Sequence, residues 1–193
     1  AYSMLGLIKR NFKCMDQNTF LKLYKTMVRS HLEYAGSVWS PHSKSLIEVL
    51  ERVQKRATKM ISKCRKLNYS ERLRKLKLPT LAYRRLQGDA IEMFKVLTGK
   101  YDSLVVPDIE KNVSNRTRGN ALRLAVKRTK YDIRKHSFCN RAVNVWNSLP
   151  DVVVEASTVN IFKNRLDSYW ADQDILYNYR TTLTGTGGCS VFY

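Results

Sequence analysis

The feature that most constrains the fold is a long helical pattern over residues 45–64, which has one apolar face and one purely basic face. Ser45 is a favourable N-cap, and Glu48 follows at the spacing of a capping box. Apolar side chains then recur at intervals of three and four, as on one face of an α-helix. They are Leu46, Val49, Leu50, Val53, Ala57, Met60 and Ile61. The pattern predicts an amphipathic helix that buries this face.

The charge around this helix is almost entirely positive. Residues 52–85 contain thirteen basic side chains and one acid, Glu71, which is a net charge of +12. The whole chain of 193 residues has 35 basic and 16 acidic residues, a net charge of +19. An exposed helix face usually mixes both signs, so a face of one sign indicates a polyanionic partner. Nucleic acid is the commonest such partner, and an anionic membrane surface is the rival.

Nine basic residues of this stretch are the candidate nucleic-acid contacts. Each lysine or arginine near a phosphate displaces a counterion, so binding should weaken steeply as salt rises. Recognition of the backbone and of shape is the expected mode. The alternative is a solvated basic surface without a ligand. The candidates are Arg52, Lys55, Arg56, Lys59, Lys63, Arg65, Arg72, Arg84 and Arg85.

The rest of the sequence predicts a series of helices, which are separated by capping residues, prolines and one long irregular stretch. Further helices are predicted over 4–12, 19–34, 70–78, 80–97, 134–147 and 158–170. Alternation at 122–126, with Tyr131 and Ile133 returning, predicts a short β-hairpin. The expected fold is mainly α, a helical bundle with this hairpin and a C-terminal pair of helices. The expected divisions are a basic helical domain at 1–100, a linker at 101–120, a region at 121–170 and a disordered tail at 171–193.

No catalytic constellation stands out. The three histidines lack metal-binding spacing, and there is no adjacent aspartate pair of the kind that holds two metal ions. Asp89 and Glu92 are interpreted as ion-pair partners of Arg85 or Lys95. No apolar run reaches the roughly 18–20 residues of a membrane span. Tyr34 and Trp39 are expected to pack in the core rather than to stack on bases.

Several short motifs follow one another along residues 1–170. They are LY at 23–24, VR at 28–29, LEYA at 32–35, VWSP at 38–41, RVQKRAT at 52–58, YSERL at 69–73, RR at 84–85, GD at 88–89, TRG at 117–119, WN at 146–147, LP at 149–150, FK at 162–163 and LD at 166–167. This ordered series resembles the region that follows the polymerase domain in LINE-type (non-LTR) retrotransposon reverse transcriptases, of the jockey and chicken-repeat lineages. Two positions depart from the pattern: Ser30 stands where relatives often carry proline, and Cys139 where they often carry phenylalanine.

The resemblance implies that the chain is the thumb and C-terminal extension of an RNA-directed DNA polymerase. It implies a thumb-like bundle that clamps RNA, an RNA–DNA hybrid or DNA, with Arg118 of the TRG motif as a further candidate contact. The palm and fingers would lie upstream, with the catalytic aspartates and their Mg²⁺, so no cofactor and no polymerase activity are expected of this chain alone. The family's integration step implies a nuclear, intracellular location.

Three alternatives remain at this point. The chain could be a stand-alone basic RNA-binding module, which would select a discrete RNA structure. It could be a protein-interaction module in which Trp39, Trp146 and Trp170 line a partner groove. It could also be a non-functional remnant of a retroelement, although its intact helical periodicities still specify a fold.

Overall fold

The structure is a computed structural model that describes residues 1–12, 15–102, 104, 106–107, 109–112 and 122–184. It is mainly α-helical, which confirms the predicted fold class. Among the described residues, none belongs to a β-strand, and no helix combines the length and apolarity that crossing a membrane requires.

The chain divides into two compact units. The first comprises Ala1–Arg85 and Asp174–Thr182, and the second the described residues of Leu86–Gln173 with Leu183 and Thr184. This division differs from the expected boundary near residue 100 and from the expected disordered tail, because nine residues of that tail pack within the first unit.

The described residues of the first unit form five α-helices, a π-helical turn, two 3₁₀ turns and the start of a sixth helix. The elements are α1 (Tyr2–Asn11), α2 (Gln17–Leu23), the π turn (Tyr24–Arg29), α3 (Ser30–Glu33), α4 (Lys44–Thr58), a 3₁₀ turn (Ser62–Cys64), α5 (Tyr69–Leu76), the first residues of α6 (Leu81–Leu97) and a second 3₁₀ turn (Asp174–Leu176).

The stretch from α2 through α3 buries one side chain in every four. Phe20, Tyr24, Val28 and Leu32 are all in the core. Residues four apart on a regular α-helix drift by about 40° per step, because each residue turns by about 100°. The wider i→i+5 turn at Tyr24–Arg29 reduces that drift and keeps the four side chains on one face. Asp16 caps α2 by accepting hydrogen bonds from the backbone N–H groups of Asn18 and Thr19.

Helix α4 differs from its prediction at both ends and on its buried face. It begins after Ser43 rather than Ser45, with no side-chain cap, and it ends at Thr58. The backbone becomes extended at Ile61, so 62–64 form a separate 3₁₀ turn. Leu46 and Val49 are exposed, whereas three polar side chains that the apolar pattern left out are buried. These are Glu51, Gln54 and Thr58.

A buried polar network explains why polar residues occupy the inner face of α4. The Gln54 side chain accepts a hydrogen bond from the Tyr24 hydroxyl and donates to the Tyr69 hydroxyl and, at 3.0 Å, to the Pro79 carbonyl. Tyr69 in turn donates to Glu51, whose other oxygen accepts the Ala82 backbone N–H at 3.1 Å. Since buried polar groups are costly when unpaired, this network fixes how the surrounding helices pack.

Residues 174–182 are held to the first unit by backbone and side-chain contacts. The Thr80 hydroxyl donates to the Ile175 carbonyl at 2.6 Å, and the Thr80 N–H donates to the Leu176 carbonyl at 3.0 Å. Ile175 is buried. Residues 174–182 thus have defined contacts with the first unit, whereas residues 185–193 lie outside the described residues.

The second unit contains the remainder of α6 together with α7 (Asp132–Lys135), α8 (Phe138–Asn147), α9 (Asp151–Val154) and α10 (Val159–Tyr169). Its aromatic centre is Phe162, which stacks on Phe94 at 4.5 Å and on Trp146 at 5.9 Å between ring centroids. Trp146 and Trp170 are fully buried. They therefore do not line a surface groove as the protein-interaction alternative required.

The predicted hairpin pairing is wrong. Leu124 forms an isolated antiparallel bridge with Lys111, and the side-chain amide of Asn147 accepts the Leu124 N–H and donates to its carbonyl. Tyr131 precedes α7, and Ile133 lies within it. Both side chains are exposed, so a strand there would have no apolar surface to cover, and an isolated two-stranded hairpin is marginal in water.

Candidate nucleic-acid interface

The structure separates the predicted contact residues into exposed cations and cations that serve the fold. Five are exposed, and four are partly or fully buried with intramolecular partners. Arg118 lies outside the described residues. The exposed five are Arg52, Arg56, Lys59, Lys63 and Arg65.

Arg72 is a structural residue. Only 3% of it is exposed, and its guanidinium donates to the Thr58 hydroxyl at 3.1 Å and to the Leu67 carbonyl at 2.9 Å. Burial lowers the pKa of this guanidinium below its ordinary value. Its donors already serve α4 and the turn before α5, so it is not placed to meet a phosphate.

Arg84 and Arg85 bind the end of α3. Arg84 donates to both carboxylate oxygens of Glu33, at 2.9 and 3.1 Å. Arg85 donates to the Leu32 carbonyl at 2.8 Å and lies over the Trp39 ring, 4.3 Å from its centroid. Charge-assisted pairs of this kind orient a side chain. The two arginines therefore position the connector after α3, where Tyr34 is 78% exposed rather than packed in the core.

Lys55 is engaged with the 174–182 segment. Its ammonium donates to the Tyr179 hydroxyl at 2.7 Å and lies 3.4 Å from Glu48, while the Tyr179 ring centroid is 4.5 Å away. Lys55 therefore already has intramolecular partners, although it lies on α4 together with the exposed Arg52 and Arg56.

Three of the exposed cations meet at one groove in the first unit. The groove has a volume of about 1270 Å³ and lies between α1 and the end of α4. Arg56, Lys59 and Arg65 line it, and Lys9 of α1 joins them. The other lining residues are Tyr2, Ser3, Leu5, Gly6, Phe12, Met15, Asp16, Met60 and Ser62.

The groove is strongly positive. Among the described residues, four cations line it against one acid, Asp16, which already accepts the N–H groups of Asn18 and Thr19 as the cap of α2. Hydrogen bonding to Thr19 lowers the pKa of Asp16, which therefore stays ionised near neutral pH. Because it is one negative charge against four positive ones, Asp16 offsets the cations only partly.

The basic surface continues beyond the groove along the turn after α4. Lys63 and Lys66 are exposed beside Arg65 in the chain, and the Lys75 ammonium donates to the Lys63 carbonyl at 3.2 Å. The turn therefore adds two exposed cations within two residues of Arg65, which lines the groove.

Sequence reasoning missed the α1 side of the groove. Lys9, Tyr2 and Phe12 are separated from Arg56 by more than forty residues, and only the packing of α1 brings them together. It also missed a second basic segment at 127–135 in the second unit, where Arg128, Lys130 and Arg134 are exposed. The signal for that segment was present as a local run of five basic residues with one acid.

Asp89 and Glu92 are both ion-paired, as interpreted from the sequence. Glu92 contacts Lys95 at 2.8 Å, as predicted, whereas Asp89 accepts two hydrogen bonds from Arg141, at 2.8 and 3.0 Å, rather than pairing with Arg85. Within the described part of the chain, no group of three or more potential metal ligands occurs.

Comparisons with protein-family models, with curated proteins and with solved structures gave no match.

Proposed function

We propose that this chain binds nucleic acid through the positively charged groove of its first unit. The observation that carries the proposal is the convergence of Lys9, Arg56, Lys59 and Arg65 on one groove, whose described lining contains one acid, the helix cap Asp16. Like charges held close together repel, and a bound polyanion relieves that repulsion while releasing its own counterions. The groove is the part of the described surface where several predicted contact residues are both exposed and adjacent.

We further propose that the parent protein is a retrotransposon reverse transcriptase, in which this region holds the template–primer. The ordered motifs from LY at 23–24 to LD at 166–167 support this part of the proposal. In that setting the chain contributes phosphate contacts and no chemistry. The purified chain should therefore bind a primed template without extending it.

The binding proposal is tested by titrating salt against affinity. Fluorescence anisotropy of a labelled RNA, a DNA duplex and an RNA–DNA hybrid would be followed from about 50 to 200 mM NaCl. Four phosphate contacts predict a slope of about −3 in log K against log salt, and Arg56→Gln with Lys59→Gln should reduce that slope to roughly half. The matched control is Lys22→Gln with Lys25→Gln, which removes two exposed lysines that do not line the groove.

A second variant separates binding from folding. Arg72→Met should lower the free energy of unfolding by about 1–3 kcal/mol, because the Leu67 carbonyl and Thr58 hydroxyl lose their donor. The folded fraction of Arg72→Met should bind nucleic acid with the same slope of log K against log salt as the wild type. Equal losses of affinity in the groove variant and the Lys22/Lys25 control, or no binding at about 50 mM salt, would refute the groove as the site.

A further inference from the structure

We infer that the groove takes a single strand, with phosphates on its basic residues and bases against its apolar floor. This inference rests on the proposed nucleic-acid binding and adds the class of nucleic acid. It follows from the lining residues that carry no charge. Leu5 is buried and Met15 and Met60 are partly buried, and we call these three the apolar floor; the exposed aromatic residues Tyr2 and Phe12 also line the groove.

The two aromatic side chains are available to a ligand. Tyr2 is 48% exposed and Phe12 is 43% exposed, so each keeps much of its ring surface in solvent. The Arg56 guanidinium lies over the Tyr2 ring, 5.7 Å from its centroid. A cation beside an exposed ring is the combination that single-strand binding sites use, since the base stacks on the ring while the cation meets the adjacent phosphate.

A duplex would leave this floor unused. Its bases are stacked inside the helix, so it presents phosphates and groove edges to a protein, and a basic surface without apolar residues serves it equally well. A single strand can turn unstacked bases toward apolar and aromatic side chains. The side-by-side arrangement of rings, methionines and four cations therefore favours the single strand.

Gly6 gives this inference a direct steric test. It lines the groove from α1, and a Cβ built there would meet no atom within 4 Å, so a larger side chain can be added without a clash at its first atom. Gly6→Leu would fill the floor and leave all four cations in place. Gly6→Ala is the matched control, because it makes the same change of backbone freedom with little added volume.

The experiment compares a uridine-rich RNA of about 12 nucleotides with an RNA duplex of the same length, each followed by anisotropy at about 50 mM salt. The single strand should bind more tightly. Phe12→Ala and Gly6→Leu should each weaken single-strand binding by about tenfold and leave duplex binding unchanged.

Two further variants serve as controls. Phe12→Leu should weaken binding as much as Phe12→Ala, because leucine cannot stack on a base, and Tyr34→Ala, which removes an exposed aromatic ring outside the groove, should have no effect. Far-UV circular dichroism confirms that each variant is folded.

The outcomes separate this inference from the function on which it rests. If both RNAs bound with equal affinity, and Phe12→Ala and Gly6→Leu left that affinity unchanged, the single-strand inference would be overturned and nucleic-acid binding would still stand. Tighter binding to anionic phospholipid vesicles than to either RNA, lost in Gly6→Leu, would overturn it in favour of an acyl chain on the floor. Binding to neither RNA would refute the proposed function itself.

Discussion

Glu48 and Glu51 lie on the same helix, yet their surroundings give the two carboxylates opposite responses to pH. Glu51 is buried, and this burial raises its pKa above the ordinary value despite the hydrogen bonds from Tyr69 and Ala82. The hydrogen bond from Lys55 lowers the pKa of Glu48. The folded state therefore holds a proton on Glu51 more readily than the unfolded chain does, and holds one on Glu48 less readily.

Glu51→Gln tests the sign of this effect. Because the folded pKa is raised, the wild type loses stability as rising pH ionises the buried carboxyl, and the neutral glutamine avoids that loss. Its amide oxygen can still accept the Ala82 N–H. Relative to the wild type, the free energy of unfolding of Glu51→Gln should increase between about pH 4 and pH 7. Urea denaturation at the two pH values measures the difference.

The matched control for Glu51→Gln is Glu48→Gln, which should respond in the opposite direction. The stability from the Glu48–Lys55 pair is present above the unfolded carboxyl pKa and is lost as pH falls through the lowered folded pKa. The control should therefore be slightly less stable than the wild type at neutral pH and equal to it in acid, since exposed pairs contribute little. The same pH response in both variants would contradict the assignment of Glu51 as a buried, ionising group.

At the scale of elements, the start of α6 and the 174–182 segment depend on one hydroxyl. The Thr80 side chain accepts the Tyr83 N–H at 3.1 Å and donates to the Ile175 carbonyl. Thr80→Val keeps the shape and removes both bonds, so it should lower the free energy of unfolding by about 2 kcal/mol. Denaturant unfolding measures the loss, and hydrogen exchange should show faster exchange at the Tyr83 amide.

The control for Thr80→Val is Thr26→Val. The Thr26 hydroxyl is exposed and donates to the Lys22 carbonyl within its own helical stretch, so its removal should change stability by less than about 0.5 kcal/mol. An equal effect of the two substitutions would mean that the 174–182 segment contributes nothing through Thr80.

The helices also show which parts of the fold can be predicted from the local sequence. The helix predicted over 80–97 agrees closely with α6 because helical periodicity is a local property. The helix predicted over 70–78 begins earlier in the structure, at Tyr69, because Asn68 forms a capping box with Glu71. The inner face of α4 was misassigned because Glu51 and Gln54 are buried by partners distant in the chain, which no apolar periodicity reports.

At the scale of the molecule, the sequence located three of the four cations that line the candidate site among the described residues. The one-signed charge at 52–85 identified Arg56, Lys59 and Arg65, because an excess of charge is visible without a fold. It could not identify Lys9 or Phe12, which only the packing of α1 supplies. It also could not separate Arg72 from the exposed arginines, since burial is a property of the tertiary structure.

The net charge of +19 predicts that salt acts on folding and on binding in opposite directions. Self-repulsion among 35 basic residues with 16 acids destabilises the compact state, and salt screens it over about 10 Å at 0.1 M. Raising NaCl from about 50 to 200 mM should therefore raise the thermal midpoint while affinity for RNA falls steeply.

Sucrose is the control, because it stabilises the folded state by being excluded from the protein surface and does not screen charge. It should raise the midpoint and leave the affinity nearly unchanged. If NaCl lowered both the midpoint and the affinity, unfolding rather than phosphate contact would explain the loss of binding, and the groove would lose its main support.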